Sequence, residues 1–232
     1  MSDSIKGQKL AAGGAATTAG IDFQNRISAW FAVRILAEKH ASPLWGWPAS
    51  SSLEFIRCET EQPVDDLMVG DSEGRIAVAQ IKHSVSLEKS PDSPLGKTIS
   101  QFVRQYLRSG NTATDQRVPW QRGLDSVRDR FLLIAAPTSS QKVVTNFPAV
   151  MERVRMLPAG AKLSALSFSE DENEALLVIE SHIEGAFLQI SQRAPNDAQL
   201  LELLSFIRVC VIDVDANGKM RAKQKRRYAQ TS

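Results

Sequence analysis

Apolar residues recur along this chain with two different periods, and the switch between them lays out its elements. Val64–Gly70 and Arg75–Lys82 are rich in apolar residues, with polar residues mainly at their outer ends. Such short runs bounded by turn residues predict two β-strands. Ser72-Glu73-Gly74 separates them, and a three-residue loop ending in glycine suits a type I turn closed by a left-handed Gly. Leu67, Val69, Ala77, Ala79 and Ile81 share one face of this hairpin, and the other face is also apolar. Strands covered on both sides belong to α/β proteins. Leu53–Glu59 predicts a first strand, Phe131–Pro137 a buried one, and Arg208–Val214 the last, closed by a turn at Asn217-Gly218. Helical spacing covers Phe23–Lys39, with Asp22 as its N-cap and Ile27, Trp30, Phe31, Ile35 and Leu36 inward. Further helices are expected over Thr98–Ser109, over Ser139–Met156 with a break near Pro148, and over Ala198–Ile207. The acidic SEDENEA suits a helix N-terminus, and ALLVIESHI behind it favours helix over strand. LWGW, between Pro43 and Pro48, reads as a turn or packing knot.

Composition narrows the class without choosing a chemistry. The 232 residues, 43% hydrophobic and 23% charged, suffice for one sizeable core. A net charge of +2 neither demands nor forbids a nucleic-acid partner. Cys58 and Cys210 lie far apart and form no CxxC, which points to a reducing cytoplasm. No run of 18 apolar residues suggests a membrane span, and the first ten residues lack the apolar core of a signal peptide. The expected division is a flexible arm over residues 1–20, a globular domain over 21–218 and a basic tail or linker over 219–232. Gly13, Gly14 and Gly20 make no phosphate loop, because GxxxxGK[ST] is absent and no strand precedes them. The tail carries Lys219, Arg221, Lys223, Lys225, Arg226 and Arg227, either a phosphate-seeking arm or an exposed linker helix.

The candidate chemistry gathers at the open end of the hairpin. If Asp71 faces Arg75, facing residues sum to 146, so Asp66 faces Gln80 and Val64 faces Lys82. Residues two apart on a strand share a face, which sends Gln80 and Lys82 the same way. A carboxylate, an amide oxygen and an ammonium then converge. Magnesium takes oxygen ligands and keeps several waters, so one or two protein oxygens suffice. A lysine beside it would stabilise charge developing on a phosphate or orient the attacking water. The same residues read equally as a diagonal ion pair at a sheet edge. Glu59, at the end of the first strand, is a candidate support or ligand to a second metal, in competition with Glu61. The polar loop after His83 follows the site directly and is placed to line a substrate groove. Arg104 and Arg108, four apart on a helix, could touch phosphates or be ordinary surface. His83 is expected on the opposite sheet face from Lys82. Three histidines without HExxH argue against a zinc hydrolase, and the absence of GxSxG argues against a serine hydrolase.

Asp66-x13-Gln80-x-Lys82 on a hairpin resembles the core of the PD-(D/E)xK, or restriction-endonuclease-like, superfamily, with Gln80 where many members carry Glu or Asp. Gly13–Gln24, then VDDLMV, then AQIKHS, and the late LLELLSFIRVCVIDVDANG are similar to double-stranded DNA endonuclease domains at the N-termini of bacterial antiviral proteins. Those include effectors of cyclic-nucleotide defence systems and large STAND NTPases. The likeness covers most of Gly13–Gly218; around Ser181–Ile183 no family motif can be placed. It implies a mixed central sheet flanked by helices and a magnesium-dependent DNA endonuclease, with manganese able to substitute. Asp66 and Gln80 would hold the metal, aided by the Ile81 carbonyl, and Lys82 would act on phosphate and water. Gln24 would stand near the site as support. The setting implied is antiviral defence, controlled by homo-oligomerisation or by further domains of a longer chain. The alternative is a catalytically inactive nucleic-acid-binding or oligomerisation module of the same fold.

Overall fold

In the computed structural model, residues 3–39, 45–48, 50–110, 122–158 and 160–214 are described. Five strands make one sheet in the order of the sequence: β1 (Leu53–Cys58), β2 (Leu67–Asp71), β3 (Ile76–Lys82), β4 (Arg130–Ala135) and β5 (Ile207–Val211). The pairs β1–β2 and β2–β3 are antiparallel, and the pairs β3–β4 and β4–β5 are parallel. The sheet is therefore mixed, with its parallel half reached by helical crossovers.

Five α-helices cover it: α1 (Asp3–Leu36), α2 (Pro94–Gly110), α3 (Phe147–Arg155), α4 (Glu170–Ser191) and α5 (Asp197–Phe206). Helix α1 lies on one face. There Phe23, Ile27 and Phe31 bury themselves against Leu67, Val69, Ala77, Ala79, Ile81, Leu132 and Ile134. The other four helices cover Met68, Ile76, Val78, Phe131, Leu133, Ile207 and Val209. Trp45 and Trp47 form the packing knot expected of LWGW, with ring centroids 5.2 Å apart and Trp45 against Phe31.

The hairpin has the expected register. Leu67 pairs with Ala79, Met68 with Val78, Val69 with Ala77 and Gly70 with Ile76. Its turn is closed by Gly74 at φ 71°, the left-handed region where glycine carries no Cβ penalty. Asp71 Oδ1 accepts from the backbone N–H groups of Glu73 and Arg75, at 3.0 and 2.8 Å, which braces that turn.

Two expectations need correction. Residues 3–20 are not an arm outside the first helix. They belong to α1, and Asp22, expected as its N-cap, is an interior residue paired with Arg26 at 2.8 Å. Alanine-rich sequence favours helix enough to extend it past the interior glycines. Neither Asp66–Gln80 nor Val64–Lys82 forms a facing pair, because the ladder stops at Leu67; the Asp66 side chain reaches the Ile81 N–H, and Val64 turns into the core. The helix expected over Ser139–Met156 is interrupted where the break near Pro148 was expected. Lys142–Asn146 wind as a π-helix, with the Phe147 N–H reaching the Lys142 carbonyl, before α3 proper begins. Pro148 explains the slip, since it offers no N–H to the carbonyl four residues back.

Two reciprocal capping boxes start the later helices: Ser169 with Glu172 for α4, and Asn196 with Gln199 for α5. The acidic SEDENEA thus is the helix start that its charge suggested. No helix among the described residues is long and apolar enough to cross a membrane. The basic tail lies outside the described residues, and so do its six cations as candidate DNA contacts.

Candidate active site

The site forms where β3 runs out of partners on one side. Below Leu67 the β2 chain leaves the ladder, while β3 continues to Lys82 alongside β4. The Ile81 N–H, unpaired by β2, is taken by the Asp66 side chain: Asp66 Oδ2 accepts it at 2.7 Å. Lys82 Nζ lies 3.5 Å from the same oxygen and donates to Gln80 Oε1 at 2.9 Å. Gln80, 1% exposed, donates from Nε2 to Asp65 Oδ1 at 2.9 Å. From α2, Gln101 Nε2 donates to that same Asp65 oxygen at 3.3 Å. Asp65, Gln80, Lys82, Asp66 and the Ile81 backbone form one continuous network.

Electrostatics make Asp66 the unusual member. Burial pushes its carboxyl above the ordinary aspartate value, and Asp65 adds to that push. The Lys82 charge and the Ile81 N–H oppose it. A carboxylate whose charge is disfavoured by burial is stabilised by a cation beside it, here Lys82.

This network floors a cleft of about 970 Å³. Helix α2 supplies one wall through Lys97, Ser100, Gln101 and Arg104, spaced i, i+3, i+4 and i+7 and so on a single helix face. Helix α4 supplies another through Ser181, His182, Gly185 and Gln189. Lys89, Pro91 and Asp92 come from the loop after β3, as the position of that loop suggested. The buried His182 anchors this rim, its Nε2 2.7 Å from the Glu88 carbonyl oxygen. Gly96 lets the rim close. A Cβ there would sit 2.6 Å from the Pro91 carbonyl oxygen and 2.7 Å from that of Ser90.

Asp66, Gln80, Lys82 and Arg104 are thus brought to one cleft. Other candidates are not. Glu59 is exposed and does not line the cleft; only its backbone meets the site, donating to the Asp66 carbonyl at 3.4 Å. Gln24 lies on α1, on the other side of the sheet, where the neighbouring Phe23 packs edge-on against His83. His83 therefore faces away from Lys82 as expected. Arg108 donates to the Glu61 carbonyl at 3.2 Å and is not part of the cleft lining.

No protein-family model, curated protein or solved structure matches the chain. The site's chemistry is accordingly read from its own atoms.

Those atoms suit a hard divalent cation. Asp66 Oδ2 is engaged by the protein, whereas no contact among the described residues takes Oδ1. Gln80 Oε1 retains a lone pair beyond the one Lys82 uses. The Ile81 carbonyl leaves β3 on the same side as its N–H, toward Asp66. Magnesium needs only one or two protein oxygens and fills the rest of its octahedron with water. No cluster of three His, Cys, Asp or Glu able to hold an ion occurs among the described residues.

Proposed function

We propose that this protein is a metal-dependent endonuclease that hydrolyses phosphodiester bonds of DNA, built on a restriction-endonuclease-like core of the PD-(D/E)xK type. One observation carries the reading: Asp66, Gln80 and Lys82 converge at the C-terminal end of β3, on the floor of a wide cleft whose rim and wall add Lys89, Lys97 and Arg104. Oxygen ligands, an ammonium and a cationic wall are the three things a polyanionic substrate requires of such a site.

Bound at Asp66 and Gln80, magnesium would supply electrophilic polarisation and charge neutralisation at the scissile phosphate. The chain's own groups do the rest. The Asp66 carboxylate, fixed by the Ile81 N–H, presents its second oxygen to the ion. Lys82 reaches the same space from the adjacent strand position. Its ammonium hydrogen-bonds the phosphate oxygens as negative charge builds there, and orients the incoming water by the same donors. Water adds to phosphorus, the bond to one sugar oxygen breaks, and the products are a phosphate monoester and a sugar hydroxyl. Lys97 and Arg104 hold flanking phosphates and so set the register of the strand in the cleft.

Duplex DNA, antiviral defence, and control by self-association or by further domains are part of this proposal through the resemblance, and a cytoplasmic setting through the two separated cysteines. The test is direct: supercoiled plasmid incubated with protein and magnesium becomes nicked or linear, and EDTA prevents it. A second reading has its own support, since every polar group on the cleft floor finds a partner within the protein. A binding module without catalysis would retain salt-sensitive DNA affinity and leave the plasmid intact under all metal conditions.

A further inference from the structure

The Gln80 side chain raises a problem that a carboxylate would not. The two ends of an amide have the same shape, so Gln80 fits its slot either way round. One orientation offers an oxygen to a cation; the other offers an NH₂ group, which repels it. Burial at 1% exposure removes water as an alternative partner, so the neighbours decide.

Those neighbours are asymmetric. Lys82 can only donate, and it donates to Oε1 at 2.9 Å. The Asp65 carboxylate oxygen accepts from Nε2 at 2.9 Å. A flip would set NH₂ against ammonium and carbonyl against carboxylate, replacing two hydrogen bonds by two repulsions. Gln101 donates to the same Asp65 oxygen and ties this arrangement to α2.

We propose that Asp65 is a positioning residue that locks the Gln80 amide with its oxygen toward Lys82 and the metal. This rests on the nuclease reading and adds to it a residue specific to a glutamine-bearing site. A glutamate at position 80 would present two equivalent oxygens and need no such lock. It would also stand directly against the Asp65 carboxylate.

The experiment measures Mn²⁺ binding by loss of the free-ion electron paramagnetic resonance signal, without DNA. It compares wild type, Asp65→Ala, Asp65→Asn, Gln80→Glu and the double variant Asp65→Ala/Gln80→Glu. Asp65 is exposed, so its truncation empties no core. Asp65→Ala is expected to weaken binding about tenfold in the Gln80 protein, the size of a lost charge-assisted hydrogen bond. Asp65→Asn keeps an acceptor and stays within about threefold of wild type. In the Gln80→Glu protein, Asp65→Ala leaves affinity unchanged or improves it. An equal loss on Asp65→Ala in both backgrounds, or an equal loss for Asn and Ala, would mean that Asp65 acts only as a nearby negative charge, and overturns the proposal alone. Absence of Mn²⁺ binding in both wild type and Gln80→Glu overturns the nuclease reading and the lock together.

Discussion

Lys82 contributes nothing to the core, yet two of the site's other groups point at it. Its ammonium lies 2.9 Å from Gln80 Oε1 and 3.5 Å from Asp66 Oδ2. Lys82→Ala is expected to abolish plasmid cleavage while the circular-dichroism spectrum and melting profile stay those of wild type. Asp66 carries the complementary expectation. Burial raises its pKa, so the folded, metal-free protein holds this proton more tightly than the unfolded chain. The stability linked to Asp66 therefore increases as pH falls through the folded-state value, and above it the ionised carboxylate is a cost. Asp66→Asn removes that cost together with the attraction to Lys82. It should unfold within about 1 kcal/mol of wild type at pH 7 by urea titration, while losing activity. A large destabilisation would make Asp66–Lys82 a structural ion pair. At this scale the sequence was only half legible. Gln80 and Lys82 follow from strand parity, because alternate residues share a face; Asp66 follows only from its place at the open end of the hairpin. Asp65 could not be found that way: strand parity sends it to the face opposite Asp66. It reaches the cleft only because β2 begins at Leu67, leaving both aspartates on chain that has left the ladder.

Helix α2 turns the hairpin's chemistry into a cleft. Lys97, Gln101 and Arg104 share one of its faces, and Phe102 and Val103 bury the other. The periodicity of α2 was readable from its apolar residues, but a polar face says nothing about what lies opposite until α4 is placed. Ser181, His182 and Gly185 illustrate this, since no motif marks them and only packing brings them to the rim. The alanine-rich start of α1 is not legible as helix, because small residues carry little periodic signal although they favour helix. The element-scale prediction concerns the phosphate wall. Each phosphate contact contributes about −0.9 to the log–log slope of duplex-DNA affinity against salt, so Lys97→Ala/Arg104→Ala should flatten it by about 1.8. Fluorescence anisotropy across a salt series measures it. An unchanged slope would remove this face of α2 from the DNA path. Arg108→Ala, outside the cleft, serves as the control.

The whole molecule divides its labour between two sheet faces. The α1 face carries a continuous apolar seam, and the other face opens at the end of β3 into the cleft. The mixed sheet was legible because the hairpin fixed its antiparallel half, and Phe131–Pro137 and Arg208–Val214 read as buried strands separated by helices. Deleting Lys219–Ser232 is expected to weaken DNA binding and flatten its salt dependence further, if the six basic residues there meet phosphates. A slope unaffected by the deletion would leave the tail a linker. The measurement that bears most directly on the central claim is a magnesium titration of plasmid cleavage by wild type, Asp66→Asn and Gln80→Ala, each with its folding verified. The account predicts saturable, EDTA-sensitive cleavage by wild type, a raised magnesium requirement for Gln80→Ala, and the greatest loss for Asp66→Asn, since a hard cation favours charged oxygen. Equal magnesium dependence in all three, or cleavage that survives EDTA, would contradict it.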